Sequence, residues 1–87
     1  MYLHIGNGEI VVKEEIIGIF DMDTATVSAQ TKKFLAKAEQ KNEIRYSDSD
    51  IPKSFIICLE KDHSQKILFS RISASALKFR KDIFLTE

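Results

Sequence analysis

The dipeptide Asn7-Gly8, set between Tyr2-Leu3-His4-Ile5 and Glu9-Ile10-Val11-Val12, constrains this chain more than any other feature. A two-residue hairpin turn needs positive φ at both central positions, which Gly takes freely and Asn tolerates, and both flanking runs are rich in strand-forming residues. The chain is therefore expected to open as a β-hairpin. The glycines of Gly6-Asn7-Gly8 also look like those of a phosphate loop, but a strand follows them where phosphate cradling needs a helix.

Ile16-Ile17-Gly18-Ile19-Phe20 is almost continuously apolar, which predicts a third strand buried on both faces. Asp21-Met22-Asp23-Thr24 carries side chains that cap helix amides. From about Val27 the spacing turns helical: Val27, Thr31, Phe34 and Ala38 form one stripe with Leu35 beside it, while Lys33, Lys37 and Lys41 fall on another. Asn42 tolerates the left-handed geometry that ends a helix. Ile44-Arg45-Tyr46 reads as a short strand and Ser47 to Pro52 as a loop. Ser54 to Glu60 is the strongest strand, with Lys61 to Gln65 a hairpin turn and Lys66 to Ser70 its returning partner. Ser73 or Ser75 caps a short final helix. Ile83-Phe84-Leu85 then forms an apolar tail that has to dock on the sheet or on a neighbour. The predicted fold class is α+β in a single domain over residues 1–87. It comprises a small antiparallel sheet of two β-hairpins plus intervening strands, one main amphipathic helix and one short C-terminal helix.

At 87 residues, 44% hydrophobic and 30% charged, the composition suits a folded domain rather than a disordered chain. A domain this small leaves little core with which to enclose a strained active site, and oligomerisation commonly supplies the missing burial. Thirteen basic and thirteen acidic residues cancel, so total charge does not mark a nucleic-acid binder. Their distribution is uneven. Glu9, Glu14, Glu15, Asp21 and Asp23 stand against Lys13 alone, Lys32, Lys33, Lys37 and Lys41 against Glu39, and Arg71, Lys78, Arg80 and Lys81 gather late. A neutral total can hide a basic face, and the Lys33/Lys37 stripe fits either a solvated helix surface or a phosphate backbone. One cysteine excludes an internal disulfide and a cysteine metal cage. The opening residues do not resemble a signal peptide and no apolar run approaches a membrane span, so a cytoplasmic location is expected.

No constellation of catalytic residues emerges. His4 lies in a strand with no nucleophile or paired carboxylate at a telling spacing, and His63 sits with Asp62 where turn chemistry accounts for both. Cys58 is inside the most apolar strand, where a thiol behaves as a small hydrophobe. Asp21-Met22-Asp23 and Asp48-Ser49-Asp50 lack the glycine and distal glutamate of a calcium loop. No metal, cofactor, small-molecule substrate or catalysis is expected.

The order of features resembles one family. Ile5-Gly6-Asn7-Gly8-Glu9-Ile10-Val11 followed by Ile16-Ile17-Gly18-Ile19 is similar to the opening of the RemA/RemB family, bacterial regulators of extracellular-matrix (biofilm) genes. Phe55-Ile56-Ile57-Cys58, Asp62-His63 and Ile67-Leu68-Phe69-Ser70 are similar to its second hairpin, and Met1-Tyr2-Leu3-His4-Ile5-Gly6 looks closer to the RemB branch. The resemblance implies a regulator that assembles into homo-oligomeric rings and holds double-stranded DNA by many repeated phosphate contacts. RemA-type members carry arginines in the loop that corresponds to Ser49-Asp50-Ile51-Pro52-Lys53, and here only Lys53 is basic. The candidate DNA-binding residues are Lys53, Arg45, Lys33 and Lys37, and the candidate oligomer interface is Ile83, Phe84 and Leu85. The alternative is a self-assembling protein-interaction module that does not touch nucleic acid.

Overall fold

The opening turn forms as its residue types require: in a computed structural model Asn7 and Gly8 take φ of 51° and 76°. The structure describes residues 1–47 and 51–85, the last five by backbone course alone. Strands β1 (Tyr2–Gly6) and β2 (Glu9–Val12) pair antiparallel as a separate two-stranded sheet. A 3-10 turn (Lys13–Glu15) leads into β3 (Ile16–Asp21), followed by helices α1 (Met22–Ala25) and α2 (Ala29–Gln40). Strands β4 (Ile44–Tyr46), β5 (Ser54–Leu59) and β6 (Gln65–Ser70) precede helix α3 (Ala74–Leu85). The main sheet has the order β3-β5-β6-β4.

Strand alternation divides the core in two. Phe55, Ile57, Ile67 and Phe69 face α2, packing with Phe34, Leu35 and the buried Ala38. Ile56, Cys58 and Leu68 face the other way, against Leu3, Ile5 and Val11 of the hairpin and Ala74 and Leu77 of α3. The molecule is thus a sandwich of α2, the main sheet, and a hairpin-plus-α3 layer. Each fully buried aliphatic side chain in it contributes roughly 1.5–3 kcal/mol.

The α+β class holds, and five details differ from the sequence reading. β4 runs parallel to β6, so the main sheet is mixed. The two strands that follow one another, β4 and β5, are not neighbours, because the β5–β6 hairpin inserts β6 between them. Ile16–Asp21 is not buried on both faces: it is an edge strand in which Ile19 is buried while Ile17 is 62% exposed. The main helix begins at Ala29 rather than near Val27, because the Ser28 hydroxyl accepts the Thr31 amide at 3.4 Å and leaves Val27 outside in solvent. The last helix is as long as α2 rather than short, taking in Ile83-Phe84-Leu85 where a tail was expected. Ser73 caps it, its hydroxyl accepting the Ala76 amide at 3.2 Å.

Candidate nucleic-acid interface

β3, β6 and β4 all finish where β5 starts, so one end of the main sheet collects Asp21, Tyr46-Ser47, Lys53-Ser54 and Ser70-Arg71. Three buried serines tie this end together. Ser70 donates its hydroxyl to the Ile5 carbonyl at 2.5 Å and accepts the Ile72 amide at 3.0 Å. Its cross-strand partner Ser54 donates to the Ile72 carbonyl at 2.7 Å, and Ser47 donates to the Phe69 carbonyl at 2.9 Å. The Lys53 backbone is held from both sides, its amide donating to Ser70 at 2.8 Å and its carbonyl accepting from Met22 at 2.9 Å. In the sequence alone these serines carry no evident role. The available signal was position, since Ser54 and Ser70 bracket apolar strands where a short hydroxyl can reach a neighbouring backbone group.

The candidate cations are all exposed but do not form one patch. Lys33 and Lys37 lie on α2, whose apolar side faces the sheet. Arg45 pairs in register with Leu68, whose side chain belongs to the hairpin-side core, so Arg45 is on the opposite face of the sheet. Lys53 stands at the sheet end between those layers. Arg80, further along the hairpin layer, donates to the His4 carbonyl at 3.2 Å and links α3 to β1. Ile83, Phe84 and Leu85 are in α3 by backbone, and their side chains lie outside the described residues, as do Asp48, Ser49 and Asp50.

Two carboxylates and the thiol among the described residues have evident structural roles. Asp21 caps α1, accepting the Thr24 amide at 2.9 Å. Asp62 accepts the Ser64 hydroxyl and amide at 2.6 and 3.0 Å, which holds its carboxyl below the ordinary value. Burial pushes the Cys58 thiol up to about 11. Among the described residues no group of three or more His, Cys, Asp and Glu side chains gathers as a metal site would need.

On the α2 side an aromatic row crosses all four strands in register: Phe20, Phe55, Phe69 and Tyr46. Phe20 stacks on Phe55 at 5.2 Å, and Tyr46 meets Phe69 edge-on at 5.0 Å. The inner pair is covered by α2, whereas the outer members, at opposite edges of the sheet, remain 39% and 59% exposed. Shallow clefts flank the helix on both sides, one including Phe20, Phe34 and Phe55, the other Leu35, Tyr46 and Phe69.

A family model described as RemA-like, extracellular matrix regulatory protein A-like, matches residues 2–80. The chain belongs to the RemA-like family. It is 36% identical over 80 residues to extracellular matrix regulatory protein B of Bacillus subtilis (strain 168), covering 92% of this chain and 89% of that one. The RemA-like match therefore takes in both hairpins, α2 and the first half of α3. The likeness to the B protein agrees with the branch that the N-terminal residues suggest.

Proposed function

We propose that this chain is a non-catalytic, cytoplasmic regulator of extracellular-matrix gene expression that acts as a homo-oligomer and contacts double-stranded DNA through phosphates. The observation that carries the reading is the end-to-end similarity to a protein named as an extracellular matrix regulator. The aromatic row supports self-association. Phe20 and Tyr46 are different exposed apolar groups on opposite edges of one sheet, the arrangement that head-to-tail contacts use, and such contacts close into rings when the rotation permits. Exposed Arg45 and Lys53 support DNA contact, since repetition around an assembly multiplies a few phosphate contacts per copy. Cys58, buried and with a raised pKa, is the opposite of an activated nucleophile, which supports the non-catalytic part.

Light scattering with and without a long DNA duplex tests both parts. The expected result is a multiple of the 10.0 kDa chain mass that binds DNA at low salt and releases it as salt rises. An oligomer that gives no mobility shift even at low salt refutes the DNA contact. A specific observation favours the second reading, an interaction module: the loop that is arginine-rich in RemA-type members holds Asp48 and Asp50 with Lys53 alone. Recovery of a defined protein partner from nuclease-treated extract, with no DNA shift, would establish that reading instead.

A further inference from the structure

Helix α2 carries different charges on its two flanks. Ala38 is buried against the sheet, and successive helix positions turn by about 100°, so its neighbours Lys37 and Glu39 leave the helix on opposite sides. Gln30 and Phe34 line the cleft beside Phe20, and Lys37 continues their stripe along the helix. Glu39 lines the cleft on the other flank, with Leu35 and Tyr46. Lys41, at the helix end, follows Lys37 by one turn. Lys37, Glu39 and Lys41 are all exposed, and among the described residues none of them joins an ion pair within its own chain. The cleft beside Tyr46 also holds Lys32, but seven positions before Glu39, which is about 10 Å along the helix.

The two flanks are level with each other. β3 and β4 bound opposite edges of the main sheet and run in the same direction, because β3 and β6 are both antiparallel to β5 and β4 is parallel to β6. Phe20 and Tyr46 stand in one register row across the sheet, and Lys37 and Glu39 are only about 3 Å apart along the helix axis. A second copy set beside the first in the same orientation therefore brings its Phe20 to Tyr46 and its Lys37 to the level of Glu39 at once. Two Phe20 flanks brought together instead set lysine against lysine.

We infer that the Phe20 flank of one copy docks on the Tyr46 flank of a second copy, with an ion pair between Lys37 and Glu39 fixing which edge meets which. This rests on the self-association reading above and gives Lys37 a role in assembly in place of phosphate contact. The apolar clefts supply contact area, whereas a charge pair at the rim chiefly selects the partner surface and its register.

The test is light scattering over a dilution series for the wild type, Lys37→Glu, Glu39→Lys and the reversed pair Lys37→Glu/Glu39→Lys. Each single variant places like charges across the contact and is expected to raise the dissociation midpoint roughly 2- to 30-fold per contact. High salt is expected to narrow that difference. The reversed pair is expected to recover most of the loss, which a merely structural role for either side chain does not explain, since positions 37 and 39 do not face each other within one helix. Single variants with the wild-type midpoint overturn the ion pair while leaving self-association standing. A wild type that is monomeric throughout the series overturns both. A loss in Lys37→Glu that the reversed pair does not relieve overturns the proposed pairing of the two flanks.

Discussion

Replacing Ser70 by alanine tests whether the sheet end is a lock or merely a crowded place. Ser70 is wholly buried, and its hydroxyl makes two hydrogen bonds: one to the Ile5 carbonyl of the hairpin and one from the Ile72 amide ahead of α3. Alanine leaves both backbone groups without that partner, and each buried unsatisfied group costs about 1–3 kcal/mol. Some re-solvation at the Ile72 side is expected, which places the net loss at about 2–4 kcal/mol. A domain of this length has a total stability of only about 4–13 kcal/mol, so a loss of that size lowers the melting temperature by ~10–25 °C. Urea unfolding followed by circular dichroism reads it directly. Protein concentration has to be held constant, because association makes apparent stability depend on it. Ser64→Ala is the control: its hydroxyl also makes a short bond, to Asp62, but in an exposed turn, and a change within about 0.5 kcal/mol is expected. If Ser70→Ala costs no more than Ser64→Ala, the Ser70 hydroxyl does not hold the sheet end and that reasoning is refuted.

Other outcomes follow from the same geometry. Leu77→Ala removes a fully buried side chain that binds α3 to the hairpin layer and is expected to cost about 2–5 kcal/mol in the same urea assay. Gly18→Ala puts a Cβ 2.6 Å from the Phe20 ring, so that ring should swing off Phe55, weakening the near-UV dichroism for a cost of about 1 kcal/mol. The Cys58 thiol, neutral in the fold to about pH 11, should resist alkylation at pH 8 until the chain is unfolded. Because its folded pKa lies above the ordinary value of 9.0, the stability linked to it is complete below pH 9 and lost as pH rises toward 11. A flat stability profile across that window would contradict its burial. Tyr46→Ala should lower the oligomeric mass while leaving the melting of the monomer within about 1 kcal/mol of wild type, Tyr46 being 59% exposed.

The local elements were legible because each rests on nearby residues. Asn7-Gly8 specified its turn, Asp21 and Ser73 their caps, and Asn42, at a φ of 59°, the end of α2. What escaped was partnership. Nothing in Ile44-Arg45-Tyr46 states that it will pair parallel with β6, and nothing in Ile16–Asp21 tells an edge strand from a central one, since both present apolar residues. The candidate site suffered in the same way. Lys33, Lys37, Arg45 and Lys53 were picked by charge, but strand parity decides which face Arg45 occupies, and parity depends on register. The buried Ser70 and Ser54 were legible only as strand-end residues, and their role as donors to backbone groups 65 and 18 positions away came with the fold.

The main sheet ends in two open edges, and their construction bears on how an assembly of this protein could grow. β4 is only three residues long, and β3 carries a register irregularity between Ile16 and Gly18. A short rim and a kinked one are poor templates for adding further strands, which is how natural sheets avoid amyloid-like stacking. If copies of the chain meet at these edges, exposed side chains such as Phe20 and Tyr46 are the groups on offer, and a contact made through side chains ends with its partner, whereas a backbone ladder has no reason to stop.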